Sequence, residues 1–212
     1  MKVFLIDIRN KENEEEYKLC SDILFDYFDK YHFDVFVLKE NKHRVKPSWL
    51  KLKCFDYIDD DFVLCWDMDL LPKGNCPSIY NSLNFDKINL AVDSSIILRN
   101  RGLFVPSFRY NCGLMGIPRK YKDAMDIVFM SYTDSKWPSY EQYHINEFLA
   151  KNNYKDVHEL DKSWNCLFHL PTVPNQYILS SNVVHFSQPS MRKESIKQYH
   201  DLYFKTPKVS IS

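Results

Sequence analysis

The sequence predicts an α/β fold in which a central, largely parallel mixed sheet is flanked by helices, with residues 1–212 forming a single domain. Segments rich in β-formers alternate along the chain with segments of helical periodicity, which is typical of this class. The length of 212 residues and the hydrophobic fraction of 45% suffice for one substantial core. No internal repeat, low-complexity tract or linker-like segment divides the sequence.

The first half of the chain predicts two strands separated by a long helix. Residues 3–8 are rich in strand-forming residues and alternate little, which predicts a buried first strand. Residues 11–31 carry apolar side chains at intervals of three and four, which predicts a helix, and residues 33–38 predict the second strand. Pro47 stands at a first helical position, where its missing N–H costs little, so a short helix is expected over residues 47–55.

The second half of the chain predicts further strands and helices in alternation. Residues 62–66 and 88–92 are compact apolar segments and predict two more strands. A mixed polar and apolar strand that contains Gly113 and Gly116 is expected over residues 109–117. Helices are expected over residues 119–132, 140–152 and 190–204, and a late strand over residues 182–186.

Charge and cysteine usage argue against several classes of function. The chain has 28 basic and 28 acidic residues, so no net charge draws it to nucleic acid. No cysteine pair has the spacing of a zinc knuckle or a redox motif, so we expect reduced thiols in an intracellular protein. The amino-terminal apolar run is too short for a signal peptide, and no stretch is long enough for a membrane span. We therefore expect a soluble, cytoplasmic protein.

The strongest chemical signal is Asp67-Met68-Asp69, directly after the strand predicted over residues 62–66. Residues two apart in an extended segment point to the same side, and open α/β sheets bind ligands at the carboxyl ends of their strands. Two carboxylates held there repel each other unless a cation intervenes. A divalent ion could bridge them to a diphosphate. The alternative is a polar turn in which both carboxylates are solvated.

Four patches in the order of the chain resemble the GT-A glycosyltransferases, especially the family that contains glycogenin and the bacterial lipopolysaccharide galactosyltransferases. The chain also resembles, more narrowly, the amino-terminal glycosyltransferase domain of a large algal-virus protein. Each patch alone is a weak signal, but their order along most of the chain is fairly specific. The patches are Trp49-Leu50-Lys51 upstream of Asp67-Met68-Asp69, then Asn111-Cys112-Gly113-Leu114-Met115, then Glu141-Gln142 with Asn146, and finally His185-Phe186-Ser187.

The resemblance implies the GT-A (Rossmann-like) fold and a specific set of ligand-binding residues. A metal ion, Mn²⁺ or Mg²⁺, would be held by Asp67, Asp69 and His185. Gln142 and Glu141 would lie beside the anomeric carbon of the donor and carry the catalytic role. Donor contacts are implied for Lys51, Asp67, Asn111, Cys112 and Gly113.

Position in the predicted fold adds further candidates for donor binding. Asp7 and Arg9 lie at the end of the first predicted strand and could contact the base or ribose, and Asp93 follows the strand at residues 88–92 and could contact the donor sugar. All three could equally be ordinary residues at the edge of the sheet. The Gly and Lys-Pro-Trp that follow the late His in the family are absent here. We therefore expect Arg192 or Lys193, at the start of the last helix, to contact the phosphates.

Several of these residues also have an ordinary structural explanation. Ser139 and Gln142 have the spacing of a capping box, which would give Gln142 a purely structural role. Asn111 and Gly113 could mark a β-bulge. His185 lies in an apolar segment, where a lone histidine is commonly a hydrogen-bonded core residue.

The function expected from these observations is transfer of a sugar from a nucleotide diphosphate donor. The resemblance implies a uridine diphosphate sugar as donor, a glycan or glycoprotein as acceptor, retention of configuration, and a viral protein acting in a host cell. One alternative is a phosphatase of the haloacid dehalogenase type, which also places an Asp-x-Asp after an apolar strand. The other is a nucleotide-sugar binding module without turnover, because binding and catalysis would use the same residues.

Overall fold

The computed structural model describes residues 1–9, 11–93, 109–133, 141–168, 175–187 and 189–205, without the side chains of residues 175–177 and 189–192. In these segments the larger sheet has six strands in the order β2-β1-β3-β6-β5-β7. The pairs β1–β2, β1–β3 and β5–β7 are parallel, whereas β6 runs antiparallel to both of its neighbours. Its strands are β1 (Lys2–Ile6), β2 (Asp34–Leu38), β3 (Phe62–Trp66), β5 (Ile88–Val92), β6 (Tyr110–Pro118) and β7 (Val157–Leu160).

The two faces of this sheet are covered by different helices. Alternation along β1 and β3 sends Val3, Leu64 and Trp66 to one apolar core and Phe4 and Val63 to the other. Strands buried on both faces read as continuous apolar runs, which explains the sequence of β3. The first core includes residues of helix α1 (Glu14–Lys30), and the second includes residues of a 3₁₀ helix (Pro47–Asp56), α2 (Lys122–Met130) and α3 (Glu141–Lys151).

A smaller sheet continues from the carboxyl end of β3. In the described segments it has three strands in the order β4-β9-β8, with β4 antiparallel and β8 parallel to β9. Helix α5 (Pro189–Lys205) packs against α1 beside this sheet. The remaining elements are β4 (Leu70–Pro72), β8 (Cys166–Leu167), β9 (Val183–His185), α4 (Asn175–Ser180) and short 3₁₀ helices at Ile79–Ser82, Arg119–Tyr121 and Lys162–Trp164.

The predicted elements are present, and their bounds differ mainly at the ends. The strands at residues 62–66 and 88–92 begin and end as expected, while the helix expected over residues 11–31 begins three residues later. The sequence did not predict β4, β7, β8 or α4, all of six residues or fewer. All six cysteines are free and buried. None of the helices within the described segments has the length and apolarity required to cross a bilayer.

Candidate active site

The two aspartates lie in a turn that joins the larger sheet to the smaller one. Strand β3 ends at Trp66, and the N–H of Asp67 donates to the carbonyl of Gly113 at 2.8 Å. The turn closes when the N–H of Leu70 donates to the carbonyl of Asp67 at 3.1 Å. The two carboxylates were expected to face the same side because residues alternate along a strand, and this reason was wrong, since Asp67 and Asp69 lie beyond the end of β3. The turn brings them together.

His185 reaches this turn from the smaller sheet. His185 is the last residue of β9 and pairs with Leu70 of β4, so it lies beside Asp69. The imidazole Nε2 is 3.5 Å from Asp69 Oδ1. One ligand atom from each of Asp67, Asp69 and His185 lies within 4.8 Å of the other two. The fold thus brings together the three predicted metal ligands, and two carboxylates with an imidazole are a donor set that Mn²⁺ accepts.

Lys51 lies beneath the turn as a buried counter-charge. Its side chain is 1% exposed, and its ammonium donates to Asp67 Oδ1 at 2.9 Å, to Asp67 Oδ2 at 3.1 Å and to the Cys112 carbonyl at 2.8 Å. It also forms an ion pair with Glu141 at 3.2 Å. Lys51 therefore acts on this site through the two carboxylates. The sequence predicted that Lys51 contacts the nucleotide-sugar donor. A lysine ammonium has three hydrogens, and in this arrangement they are directed at protein oxygens, so none is available for that contact.

The charges around Asp67 favour a divalent cation. Asp67, Asp69 and Glu141 contribute three negative charges and Lys51 one positive charge, which leaves two negative charges. Burial raises the pKa of Asp67 to about 6, with Lys51 opposing the rise and Asp69 and Glu141 adding to it. Two like charges held close disfavour ionisation unless a cation balances them. One divalent ion would balance this site.

Gln142 points to the sheet and not to the start of its own helix. Its Oε1 accepts from the backbone N–H of Cys112 at 3.1 Å, and its Nε2 donates to Asp93 Oδ2 at 3.3 Å. One turn later, Asn146 donates to the carbonyl and accepts from the N–H of Tyr110. A capping glutamine would direct its oxygen back to the N-cap, so the side chain does not have that role. Ser139, the other half of the predicted box, lies outside the described residues.

Strand β6 carries a bulge at the predicted donor-lining segment. Leu90 of β5 pairs with Met115, but the next residue, Ala91, pairs with Asn111, so the intervening residues of β6 are unmatched on that side. Asn111 is buried, and its Oδ1 accepts from the Gly113 N–H at 2.8 Å. Cys112 is fully buried. The bulge explanation is confirmed, and the donor-lining role of this segment stays a prediction.

The remaining residues predicted to contact the donor lie on several different elements of the fold. Asp7 is buried and binds Arg9 through contacts of 2.7 to 3.0 Å, so the two residues neutralise each other at the end of β1. Asp93 is buried next to Gln142. Lys193 forms an exposed ion pair with Glu15 at 2.6 Å. The side chain of the other phosphate candidate, Arg192, lies outside the described residues.

One buried polar residue of the site was missed by sequence reasoning. Asn165 is 0% exposed and bridges Asn111 and His185 through its side-chain amide. It follows the 3₁₀ helix at Lys162–Trp164, and no spacing pattern connects it to the other site residues. A polar residue between the apolar Trp164 and Cys166 was the available signal.

The site predicts opposite effects of pH on stability with and without metal. Burial lowers the pKa of His185, but the carboxylates of Asp69 and Asp67 together outweigh that effect, so the pKa lies above its ordinary value. The pKa of Asp67 is also raised. Groups whose pKa is raised by folding stabilise the protein below their unfolded pKa and lose that effect as pH rises through the folded value. In chelator, the melting temperature should therefore rise as pH falls from about 7.5 to about 5.

With saturating Mn²⁺ the slope should reverse, because bound ligands must be deprotonated. Asp67→Asn should flatten both dependences. The described carboxyls whose pKa is lowered, such as Asp126 and Glu159, titrate below this window and do not interfere. Thermal melts between about pH 5 and about pH 7.5 measure how the melting temperature depends on pH in chelator and in Mn²⁺. If the melting temperature changes in the same direction under both conditions, Asp67 and His185 do not bind the metal as predicted.

Comparison with known proteins identifies the fold. At the level of sequence, no family model and no curated protein matches the chain. The structure is similar to a glycosyltransferase involved in the glycosylation of the major capsid of PBCV-1, with a TM-score of 0.69 at 12% identity over 93% of this chain and 100% of that chain. It is also similar to the glycosyltransferase GlyE of Streptococcus pneumoniae TIGR4, with a TM-score of 0.61 at 12% identity over 94% of this chain and 60% of that chain.

A third similar structure is the galactosyltransferase LgtC in complex with donor and acceptor sugar analogues, with a TM-score of 0.57 at 12% identity over 98% of each chain. The chain therefore has the GT-A fold of glycosyltransferases, as the sequence predicted. Fold does not imply function. The activity is argued from the geometry of the site.

Proposed function

We propose that the protein is a metal-dependent glycosyltransferase that takes a sugar from a uridine diphosphate donor and passes it to a glycan or glycoprotein acceptor. The observation that carries this proposal is the convergence of Asp67, Asp69 and His185 at the junction of the two sheets. The net charge of the surrounding groups calls for a divalent ion, Mn²⁺ or Mg²⁺. Such an ion, once bound, stabilises the charge that develops on a departing diphosphate.

The protein's own residues would position the donor around that ion. The ammonium of Lys51 binds both oxygens of Asp67, whereas Asp69 lies beside His185, so Asp69 would be the main anionic ligand. The bulge of β6 presents Asn111 and Gly113 beside the turn. Asp93 and Gln142 are joined by a hydrogen bond next to this segment, and the donor sugar would lie against them. A glutamine is an active-site residue in LgtC, where a glutamine-to-glutamate mutant has been characterised.

We propose that the transfer retains configuration, because neither of the two predicted catalytic residues, Glu141 and Gln142, is suited to act as a base. An inverting enzyme needs a carboxylate base opposite the leaving group. Glu141 is held by the buried ammonium of Lys51, and the amide of Gln142 has no basic atom. We therefore propose that Gln142 stabilises the reacting sugar and that Glu141 fixes Lys51.

Calorimetric titration with uridine diphosphate tests the metal dependence. We expect affinity in chelator to be at least about tenfold weaker than in Mn²⁺, because a divalent ion supplies much of the attraction to a diphosphate. Guanosine and cytidine diphosphates serve as controls for the base. Equal affinity with and without metal would contradict the proposed function.

Turnover separates the proposal from its rivals. Release of uridine diphosphate from a uridine diphosphate sugar, with Mn²⁺ present, is the expected result. Tight binding of the nucleotide sugar without release would favour a binding module. Hydrolysis of simple phosphomonoesters, with no requirement for a nucleotide sugar, would favour a phosphatase.

A further inference from the structure

Asn165 connects the bulge of β6 to the candidate metal ligand on β9. Its side chain is fully buried, and no atom of it reaches solvent. The Nδ2 group lies 2.7 Å from Asn111 Oδ1, and the Oδ1 atom lies 2.8 Å from His185 Nδ1. The three side chains thus form one continuous hydrogen-bonded chain, and Nε2 of His185 lies beside Asp69.

The backbone of Gly113 fixes the direction of every hydrogen bond in this chain. A peptide N–H can only donate, so the Asn111 atom at 2.8 Å from the Gly113 nitrogen must be the amide oxygen. That same oxygen faces Asn165, so the Asn165 atom next to it must be the NH₂ group. The carbonyl oxygen of Asn165 then faces His185 Nδ1. An oxygen with no hydrogen can only accept, so Nδ1 carries the proton.

Protonation of Nδ1 determines the state of the other ring nitrogen of His185. A neutral imidazole with a proton on Nδ1 has its lone pair on Nε2, and Nε2 is the atom 3.5 Å from Asp69 Oδ1. We propose that Asn165 is a positioning residue that holds His185 in the Nδ1–H tautomer and thereby presents the Nε2 lone pair to a divalent cation. This inference rests on the proposed function, because the Nδ1–H tautomer matters only if a divalent cation binds at Nε2.

Packing around Gly113 indicates that the hydrogen-bonded side chains of Asn111, Asn165 and His185 have little room to rearrange. A Cβ atom at this position would lie 3.0 Å from His185 Cε1, 3.1 Å from Asn111 Oδ1 and 3.3 Å from Asn165 Nδ2. All three side chains of the network therefore converge on one glycine. Side chains that are packed this closely keep a fixed orientation.

Nitrogen NMR of histidine-labelled protein tests the tautomer without any substrate. At a pH above the titration of His185, the wild-type spectrum should show protonated Nδ1 and unprotonated Nε2, with the signal assigned by its absence in His185→Ala. Asn165→Ala should give a mixture of the two tautomers. Asn165→Asp should restore the Nδ1–H form, because a carboxylate oxygen still accepts from Nδ1. An Nε2–H wild type, or an unchanged tautomer in Asn165→Ala, would overturn the proposal.

Manganese affinity supplies the second readout. Loss of a partner that orients a metal-bound histidine typically weakens metal binding by about 10- to 100-fold, and we expect a loss of this size in Asn165→Ala. The matched control is Asn89→Ala, which removes another fully buried asparagine whose hydrogen-bond partners are Asn84 and Lys87. It should leave both the tautomer and the manganese affinity unchanged. Equal losses in the two variants would show a general effect on folding and overturn the specific role.

The two measurements also keep the inference separate from the proposed function. If wild-type protein shows no affinity for Mn²⁺, the proposed function fails, and the tautomer spectra still decide whether Asn165 sets the protonation of His185. If Mn²⁺ binds but Asn165→Ala leaves tautomer and affinity intact, the proposed function stands and the inference fails.

Discussion

Replacement of Asp69 by asparagine should abolish most metal-dependent turnover while leaving the fold intact. The substitution keeps the size of the side chain and removes the charge that faces His185. Lewis-acid stabilisation is worth several kcal/mol, and each factor of ten in rate corresponds to about 1.4 kcal/mol. We therefore expect turnover to fall by about 1,000-fold. Manganese affinity should fall by more than the roughly 100-fold that the loss of an outer partner costs.

The stability of the metal-free protein should be maintained or rise in Asp69→Asn. Asp69 adds to the repulsion that raises the pKa of Asp67, so Asp69→Asn relieves the cluster and should maintain or raise the melting temperature in chelator. This separates a lost ligand from a damaged fold. The matched control is Asp86→Asn, the same chemical change at a carboxylate that is 94% exposed. It should leave turnover unchanged.

Gln142→Ala provides a contrast within the site. Its amide contacts Cys112 and Asp93 and none of the three candidate ligands. Manganese affinity should therefore stay near the wild-type value while turnover falls at least about tenfold, the effect of about 1.4 kcal/mol in the transition state. If Asp69→Asn and Gln142→Ala lose affinity and turnover to the same extent, the two residues do not have the separate roles proposed here.

The sequence predicted five of the six strands described in the larger sheet, all except β7, because their signals are local. Strand β3 is a continuous apolar run that ends at a charged residue, and both of its ends follow from the residues themselves. Strands β4 and β8 have three and two residues, and each exists only because β9 lies beside it. A strand of that length has no periodicity to detect, so it depends on contacts between distant parts of the chain.

The candidate site shows the same division. Residue type and order along the chain predicted that Asp67, Asp69 and His185 meet, and they do. The direction of a side chain could not be predicted where a local partner and a distant one compete. Gln142 has the spacing of a capping residue, yet its amide binds the backbone of β6. The burial of Lys51 likewise depends on the sheet above it, since nothing in its own 3₁₀ helix distinguishes it from Lys53, whose side chain is 17% exposed.

Replacement of Lys51 by methionine should cause the largest loss of stability. Methionine keeps the unbranched, apolar stem and removes the ammonium, which leaves the buried Glu141 and the partly buried Asp67 without their counter-charge. Breaking a buried ion pair by removing one partner typically costs about 3–5 kcal/mol. We expect the free energy of unfolding in chelator to fall by about this amount, as measured by urea denaturation.

Two further variants distinguish the charge from the packing of the side chain. Lys51→Met combined with Glu141→Gln removes one charge of each sign and restores the net charge of the site, so it should recover much of the loss. Lys2→Met breaks an ion pair with Asp34 at 3.0 Å, a similar distance, but at the surface. Exposed pairs are worth about 0–1 kcal/mol, so this control should have little effect.

Manganese should partly replace the missing ammonium of Lys51→Met. Without Lys51 the cluster has three negative charges in place of two, and a divalent ion is attracted more strongly to it. Ligands that bind only the folded state stabilise it in proportion to their affinity. The rise in melting temperature on saturation with Mn²⁺ should therefore be larger in Lys51→Met than in wild type. An equal or smaller rise would mean that Lys51 and the ion do not balance the same charges.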